Sequence, residues 1–136
     1  MIGVVIATHA DIAEAMLATA RRVIQYDGKA AAVEILETDT TASYEQRLRR
    51  AVTEVEQPQG VLVLTDMFGG TPSNVSMTLH ESNRIEVLTG ANLPMVIKAL
   101  QLSGGEEPLT QVAQEVKDAG VRAIAVASDV LAGDKA

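Results

Sequence analysis

Cysteine is absent from this 136-residue chain, which excludes disulfides, thiolate nucleophiles and thiolate metal sites and fits a reducing, cytoplasmic setting. Tryptophan is absent too, and Tyr26, Tyr44 and Phe68 are the only aromatic residues. Aliphatic side chains and Met must therefore fill the core, and little aromatic surface remains for stacking on bases. Positive charge is also scarce: 11 Lys and Arg stand against 18 Asp and Glu, a net charge of −7. That balance repels a phosphate backbone and argues against nucleic-acid binding, while it suits a partner with a basic patch. No apolar run reaches the ~20 residues of a membrane helix, so a soluble chain without direct membrane insertion is expected. The apolar start, Met1 to Ile6, has no basic n-region and reads as a first strand, not a signal peptide.

What is present describes one globular domain. The chain is 47% hydrophobic and 21% charged, and is long enough for a full core. Residues 1–127 are expected to form the domain and 128–136 a frayed tail. Strand and helix patterns alternate. Ile2 to Ala7 reads as a strand. Asp11 to Ile24 reads as a helix with Ile12, Met16, Leu17, Ala20, Val23 and Ile24 inward, ended by an Asp27-Gly28 turn. Ala31 to Leu36 is a strand, and Tyr44 to Glu56 a helix that buries Leu48, Ala51, Val52 and Val55. Gly60 to Thr65 is a strand rich in β-branched residues, followed by a short helix from Pro72 to His80. Arg84 to Leu88 is a fourth strand, then helices span Leu93 to Leu102 and Leu109 to Ala119, and Val121 to Ala127 reads as a last strand. Such alternation predicts an α/β fold with a mostly parallel sheet and helices on both faces. Ligands bind outside the carboxyl ends of such strands, which places His9, Asp66 and Asn92 on one edge.

The segment Asp66-Met67-Phe68-Gly69-Gly70-Thr71-Pro72 has the layout of a site. A strand ends in a carboxylate and turns through two glycines into a helix, with Thr71 read as N-cap and Pro72 at the first helical position. Glycines let backbone N–H groups approach a ligand, and a helix N-terminus favours an anion such as phosphate. His9 ends the first strand. A neutral imidazole is a good nucleophile near neutral pH, and phosphorylation of one ring nitrogen needs the other held as N–H. Asp66 is a natural acceptor for that N–H. Position alone leaves a plainer reading open, with His9 capping the helix, Asp66 capping or shaping the turn, and Gly69-Gly70 serving only a tight turn. His80, beside Glu81 near a helix end, reads as a solvated or C-capping residue. P-loop, dinucleotide, Glu-x-x-His, His-Glu-x-x-His and Gly-x-Ser-x-Gly patterns are all missing, so no metal, no cofactor and no serine nucleophile is expected.

Three blocks together resemble a known family. Ile2-Gly3-Val4-Val5-Ile6-Ala7-Thr8-His9, Thr65 to Asn74, and Thr89-Gly90-Ala91-Asn92-Leu93-Pro94-Met95 are similar to the mannose-family IIA domain of the phosphoenolpyruvate-dependent sugar phosphotransferase system. The resemblance implies that His9 takes a phosphoryl group from the phosphocarrier protein HPr and passes it to a IIB domain. Asp66 would orient the ring; Thr71, Gly70 and Gly69 would hold the phosphoryl oxygens; Phe68 and Asn92 would shape the site. It further implies a homodimer that exchanges its C-terminal strand, here Val121 to Ala127. Family members often have Trp and Ser where this chain has Phe68 and Thr71, changes that keep an aromatic and a hydroxyl. With no IIB sequence following, a separate IIB protein and permease are expected. Alternatives are a regulatory phosphoprotein of this fold without sugar transport, and the IIA-like subunit of a dihydroxyacetone kinase.

Overall fold

A computed structural model describes residues 1–26 and 28–133. Among them a four-stranded, all-parallel sheet runs in the order β2-β1-β3-β4, with β1 at Gly3–His9, β2 at Ala30–Ile35, β3 at Val61–Thr65 and β4 at Ile85–Leu88. A predicted helix follows each strand: α1 Ile12–Ile24, α2 Thr41–Val55, α3 Thr71–Thr78 and α4 Leu93–Leu102; the predicted α5 spans Leu109–Arg122, and α6, Ala127–Gly133, was not predicted. None of the described helices is long and apolar enough to cross a membrane. Asp27 of the predicted Asp27-Gly28 turn and residues 134–136 of the predicted tail lie outside the described residues.

The central strands are apolar at successive positions because both faces of the sheet are covered. Alternation divides them between two cores. Val4, Ile6, Leu62 and Leu64 pack with Leu17, Val96, Leu100, Val112 and Val116, from α1, α4 and α5. Val5, Ala7, Val61 and Val63 pack with Tyr44, Leu48, Val52 and Val75, from α2 and α3. Each such fully buried aliphatic side chain contributes about 1.5–3 kcal/mol of burial free energy.

Three expectations are corrected. In α1 the buried stripe is Ala13, Leu17 and Ala20, while Ile12 and Val23 are exposed; the small Ala13 and Ala20 let the helix lie close to the sheet, which turns its larger flanking residues outward. The predicted strand from Val121 to Ala127 is not a strand in this chain. Helix α5 runs on to Arg122, and its exit is closed by short-range bonds from Ala123 N–H to the Ala119 carbonyl and from Ile124 N–H to the Val121 carbonyl. Val126 accepts from Asp129 and Val130 at the start of α6, so residues 128–133 of the predicted frayed tail are helical. A strand needs a neighbour for its backbone groups, and local helical bonds take that role here. The apolar side chains of Val121, Ile124, Val126, Val130 and Leu131 are left exposed.

Candidate functional site

The chain leaves β1 toward β2 on one side and later returns to β3 on the other, so the connections diverge at the carboxyl ends of β1 and β3. Those strands pair with Ala7 opposite Thr65, which sets His9 and Asp66 side by side just beyond the last pair. This is the crevice that open α/β sheets use for ligands.

His9 is the last residue of β1, with its side chain 39% exposed. The turn behind it is tight. Ala10 has φ +46°, and the buried Thr8 supplies what Asp11, the N-cap of α1, does not: its Oγ accepts the Ala13 N–H at 2.7 Å and donates to the His9 carbonyl at 3.1 Å. Sequence reasoning passed over Thr8, whose only signal is a hydroxyl ahead of the helix start.

Asp66 follows β3 directly and spends both oxygens. Its Oδ2 accepts the His9 backbone N–H at 3.1 Å and lies 2.9 Å from His9 Nδ1; its Oδ1 accepts the Met67 N–H at 3.1 Å. A carboxylate only accepts, so Nδ1 carries the imidazole proton and Nε2 keeps its lone pair. The pairing of His9 with Asp66 expected from the sequence is therefore present as a hydrogen bond.

The glycine turn closes the other side of the ring. Gly69 has φ +92°, a conformation natural to glycine. Its N–H donates to Ser73 Oγ at 2.9 Å, and that hydroxyl donates to the Gly70 carbonyl at 3.2 Å. Gly70, not Thr71, is the N-cap of α3, and it makes no side-chain cap. Thr71 and Pro72 are the first two helical residues, because the Ser73 hydroxyl has taken over the bonding of the turn. A β-carbon on Gly70 would lie 2.5 Å from His9 Cε1 and 3.0 Å from Nε2, so the start of α3 stands beside the free ring nitrogen. The first-turn N–H groups of Thr71 and Ser73 have no intrahelical acceptor, and with the helix dipole they favour an anion there.

The other candidates lie further out. Met67 and Phe68 project from the turn, 54% and 76% exposed. Asn92 caps α4, accepting the Met95 N–H and donating to the Gly120 carbonyl, each at 3.1 Å; its side-chain bonds go to neither His9 nor Asp66. His80 is a surface residue 3.5 Å from Glu86. One strand over from His9, burial together with the nearby Glu14 and Asp11 raises the Glu34 carboxyl above its ordinary range. Among the described residues no group of three or more His, Asp or Glu is arranged to hold a metal ion. The arrangement provides a nucleophilic nitrogen, a fixed ring tautomer and an anion-favouring helix start, the parts needed for phosphoryl transfer to and from an imidazole.

Comparison with known proteins agrees with this geometry. Residues 3–119 match the family model described as PTS system fructose IIA component. The chain is 27% identical over 103 residues to the fructose-specific EIIA component of Bacillus subtilis (strain 168), covering 75% of this chain and 70% of that protein. It is 26% identical over 127 residues to the mannose-specific EIIAB component of Escherichia coli (strain K12), covering 90% of this chain but only 39% of that longer protein. Among solved structures it superposes on the phosphotransferase system component EIIA of Streptococcus agalactiae with a TM-score of 0.84 at 25% identity, covering 94% of this chain and 98% of that one. The mannose/sorbose-specific IIA subunit of Enterococcus faecalis gives a TM-score of 0.81 at 26% identity, with 92% and 93% covered. With the family model spanning nearly the whole domain, the chain belongs to the mannose-type (fructose/mannose) IIA family and has a phosphotransfer role in a sugar phosphotransferase system.

Proposed function

We propose that this protein is a phosphohistidine relay, which accepts a phosphoryl group from HPr on His9 and passes it to a IIB domain for sugar uptake. The observation that carries this reading is the 2.9 Å contact of His9 Nδ1 with Asp66, which leaves Nε2 as the ring nitrogen without a hydrogen-bond partner. In the transfer the Nε2 lone pair attacks phosphorus, and the P–N bond to the donor imidazole breaks. The donor nitrogen leaves with the bonding pair, which neutralises the donor ring if its other nitrogen is protonated. The His9 ring gains the positive charge, keeps its Nδ1 proton, and is stabilised through that proton by Asp66. The first-turn N–H groups at Thr71 and Ser73 meet the phosphoryl oxygens, with the Thr71 hydroxyl beside them. The group arrives already activated as a phosphoramidate, so positioning and hydrogen bonding supply the catalysis. Onward transfer to IIB is the same step in reverse.

The cytoplasm is the proposed setting, where these carriers meet. A homodimer is also proposed: the exposed apolar residues from Val121 to Leu131 adjoin a cavity of about 390 Å³ along edge strand β4, lined by Val87, Leu88, Val121 and Ile124 among others, and a second copy would cover them. Sedimentation as a monomer at micromolar concentration would remove that element.

The test is intact-mass spectrometry after incubation with phosphoenolpyruvate, enzyme I and HPr, kept neutral or alkaline because phosphohistidine is acid-labile. One added phosphoryl group is expected, on His9, attached through Nε2 by ¹⁵N NMR. His9→Ala should take none, and Asp66→Ala should slow the reaction by about 10³- to 10⁴-fold. Full phosphorylation of the His9→Ala protein, at His80, would sink the reading.

A further inference from the structure

Two buried hydroxyl groups at the carboxyl end of the sheet, those of Tyr44 and Thr65, have no hydrogen-bond partner among the described residues. Both residues are completely buried, where a polar group left unpaired is costly and normally finds a partner. The two share one face of the sheet. Val33, Ala7 and Thr65 stand in register across β2, β1 and β3, and Val33 and Ala7 share a core with Tyr44 and Val63. Thr65 lies two positions after Val63, so its side chain faces the same way. Ala7, in the middle of that row, is its smallest member, while Tyr44 is the largest of the fully buried side chains. It enters from the start of α2, which packs on β1 and β2.

Burial pushes the Tyr44 pKa up, the nearby Arg47 opposes that shift, and the charges of Asp66 and Asp39 add to it. The hydroxyl is therefore a neutral O–H donor, close enough to Asp66 to feel its charge. Asp66 in turn has an acceptor to spare. A carboxylate offers about four lone-pair sites, and the His9 N–H, His9 Nδ1 and the Met67 N–H take three of them. With the Asp66 side chain 13% exposed, bulk solvent has little access to the fourth.

We propose that a buried water joins these groups, accepting from Tyr44 and Thr65 and donating to Asp66, and that Tyr44 is thereby a positioning residue for the His9–Asp66 pair. A polar pocket that offers three partners is the kind that holds an ordered water. The water completes the donors that fix the carboxylate, so that Oδ2 stays aimed at Nδ1 while the ring becomes positive. Tyr44 meets neither the phosphoryl group nor the protein that delivers it. Its effect on transfer rests on the relay reading; the water itself does not.

Tyr44→Phe and Thr65→Val keep the side-chain shapes and remove the hydroxyls, and together they form a double-mutant cycle. In urea unfolding each single variant should be less stable than wild type, and the double variant no worse than the weaker single, because the same water is lost once. In single-turnover labelling with phospho-HPr, Tyr44→Phe should lower the maximal rate about fivefold, the worth of one net hydrogen bond, with an unchanged half-saturating donor concentration. The ¹⁵N resonance of His9 Nδ1 should also move, since a carboxylate relieved of one donor accepts more strongly from the ring. A tyrosine that served only the core would leave it in place. A Tyr44→Phe protein more stable than wild type would mean a dry, unpaired hydroxyl, and additive losses would mean two separate sites; either overturns the water. An unmoved rate and resonance in an otherwise coupled cycle would overturn the positioning role. If wild type takes no phosphoryl group from phospho-HPr, the relay reading fails, and the unfolding cycle and the Nδ1 resonance still decide this proposal.

Discussion

Gly69 and Gly70 are neighbours that are glycine for different reasons. Gly69 needs its positive φ of +92° but has open space where a β-carbon would go; Gly70 has an ordinary extended φ of −85° and no space at all. A side chain at Gly69 therefore strains the turn, at a cost of about 1 kcal/mol. At Gly70 it collides with the histidine ring. We predict that Gly70→Ala slows phosphorylation of His9 by about 100-fold, since a displacement of the ring on the order of 1 Å is enough for that. The melting temperature should stay within a few degrees of wild type, because the backbone at Gly70 suits alanine. An unchanged rate with phosphoramidate as donor would refute this. From the sequence both glycines were read as aids to phosphate binding. That reading singled out the turn but not the division of labour, because a dipeptide does not reveal which glycine meets another strand's side chain.

At the scale of elements, each site residue is held by a strand end and the loop after it, and those loops carry their own fastenings. Thr8 fastens the first. Its buried hydroxyl caps α1 through Ala13 and holds the His9 carbonyl, replacing the cap that Asp11 fails to make. Thr8→Val, which keeps the shape and removes the hydroxyl, should destabilise the protein by about 1–2 kcal/mol and lower the rate at His9, both measurable by urea unfolding and single-turnover labelling. Full stability in the variant would mean that water replaces the hydroxyl. Four strands and five helices were legible from period and turn chemistry to within a few residues. Central strands such as Val61–Thr65 are apolar runs that only a covered parallel sheet accommodates. The stretch Val121–Ala127 misled because its apolar side chains suit a strand equally well. Choosing between strand and helix requires knowing whether an edge is available, and sequence pattern carries no such information. The α1 stripe misled for a related reason: hydrophobicity marks Ile12 and Val23 as inward, while close approach to the sheet favours Ala13 and Ala20.

Across the whole molecule, carboxyl groups with opposite shifts meet around one arginine. Arg47 pairs with Asp39 and also donates to the Glu34 carbonyl, tying α2 to the end of β2 and to the loop that follows it. The hydrogen bond from Arg47, with those from Leu36 N–H and Ser43, lowers the Asp39 carboxyl from its ordinary 3.8 to about 2. An acid lowered on folding adds stability above its unfolded pKa and loses it as pH falls through the folded one, so Asp39 should support the fold above pH 4 and cease to do so toward pH 2. Glu34 is shifted the other way. Burial, then Glu14, raise its carboxyl above 4.5, so the folded state holds that proton more tightly and the benefit is lost as pH rises. The two groups make opposite predictions for conservative variants. Glu34→Gln should be more stable than wild type at neutral pH, with the advantage vanishing as pH falls below 4.5, where wild-type Glu34 is itself protonated. Asp39→Asn should be less stable at neutral pH, and its stability should change less than wild type's between pH 4 and 2. Urea unfolding followed from pH 7 to pH 2 measures both slopes. If Glu34→Gln proves no more stable at neutral pH, Glu34 does not carry the burden assigned to it. If Asp39→Asn falls away in acid as steeply as wild type, the acid limb belongs to other carboxylates and the Arg47 anchor is not what fails first.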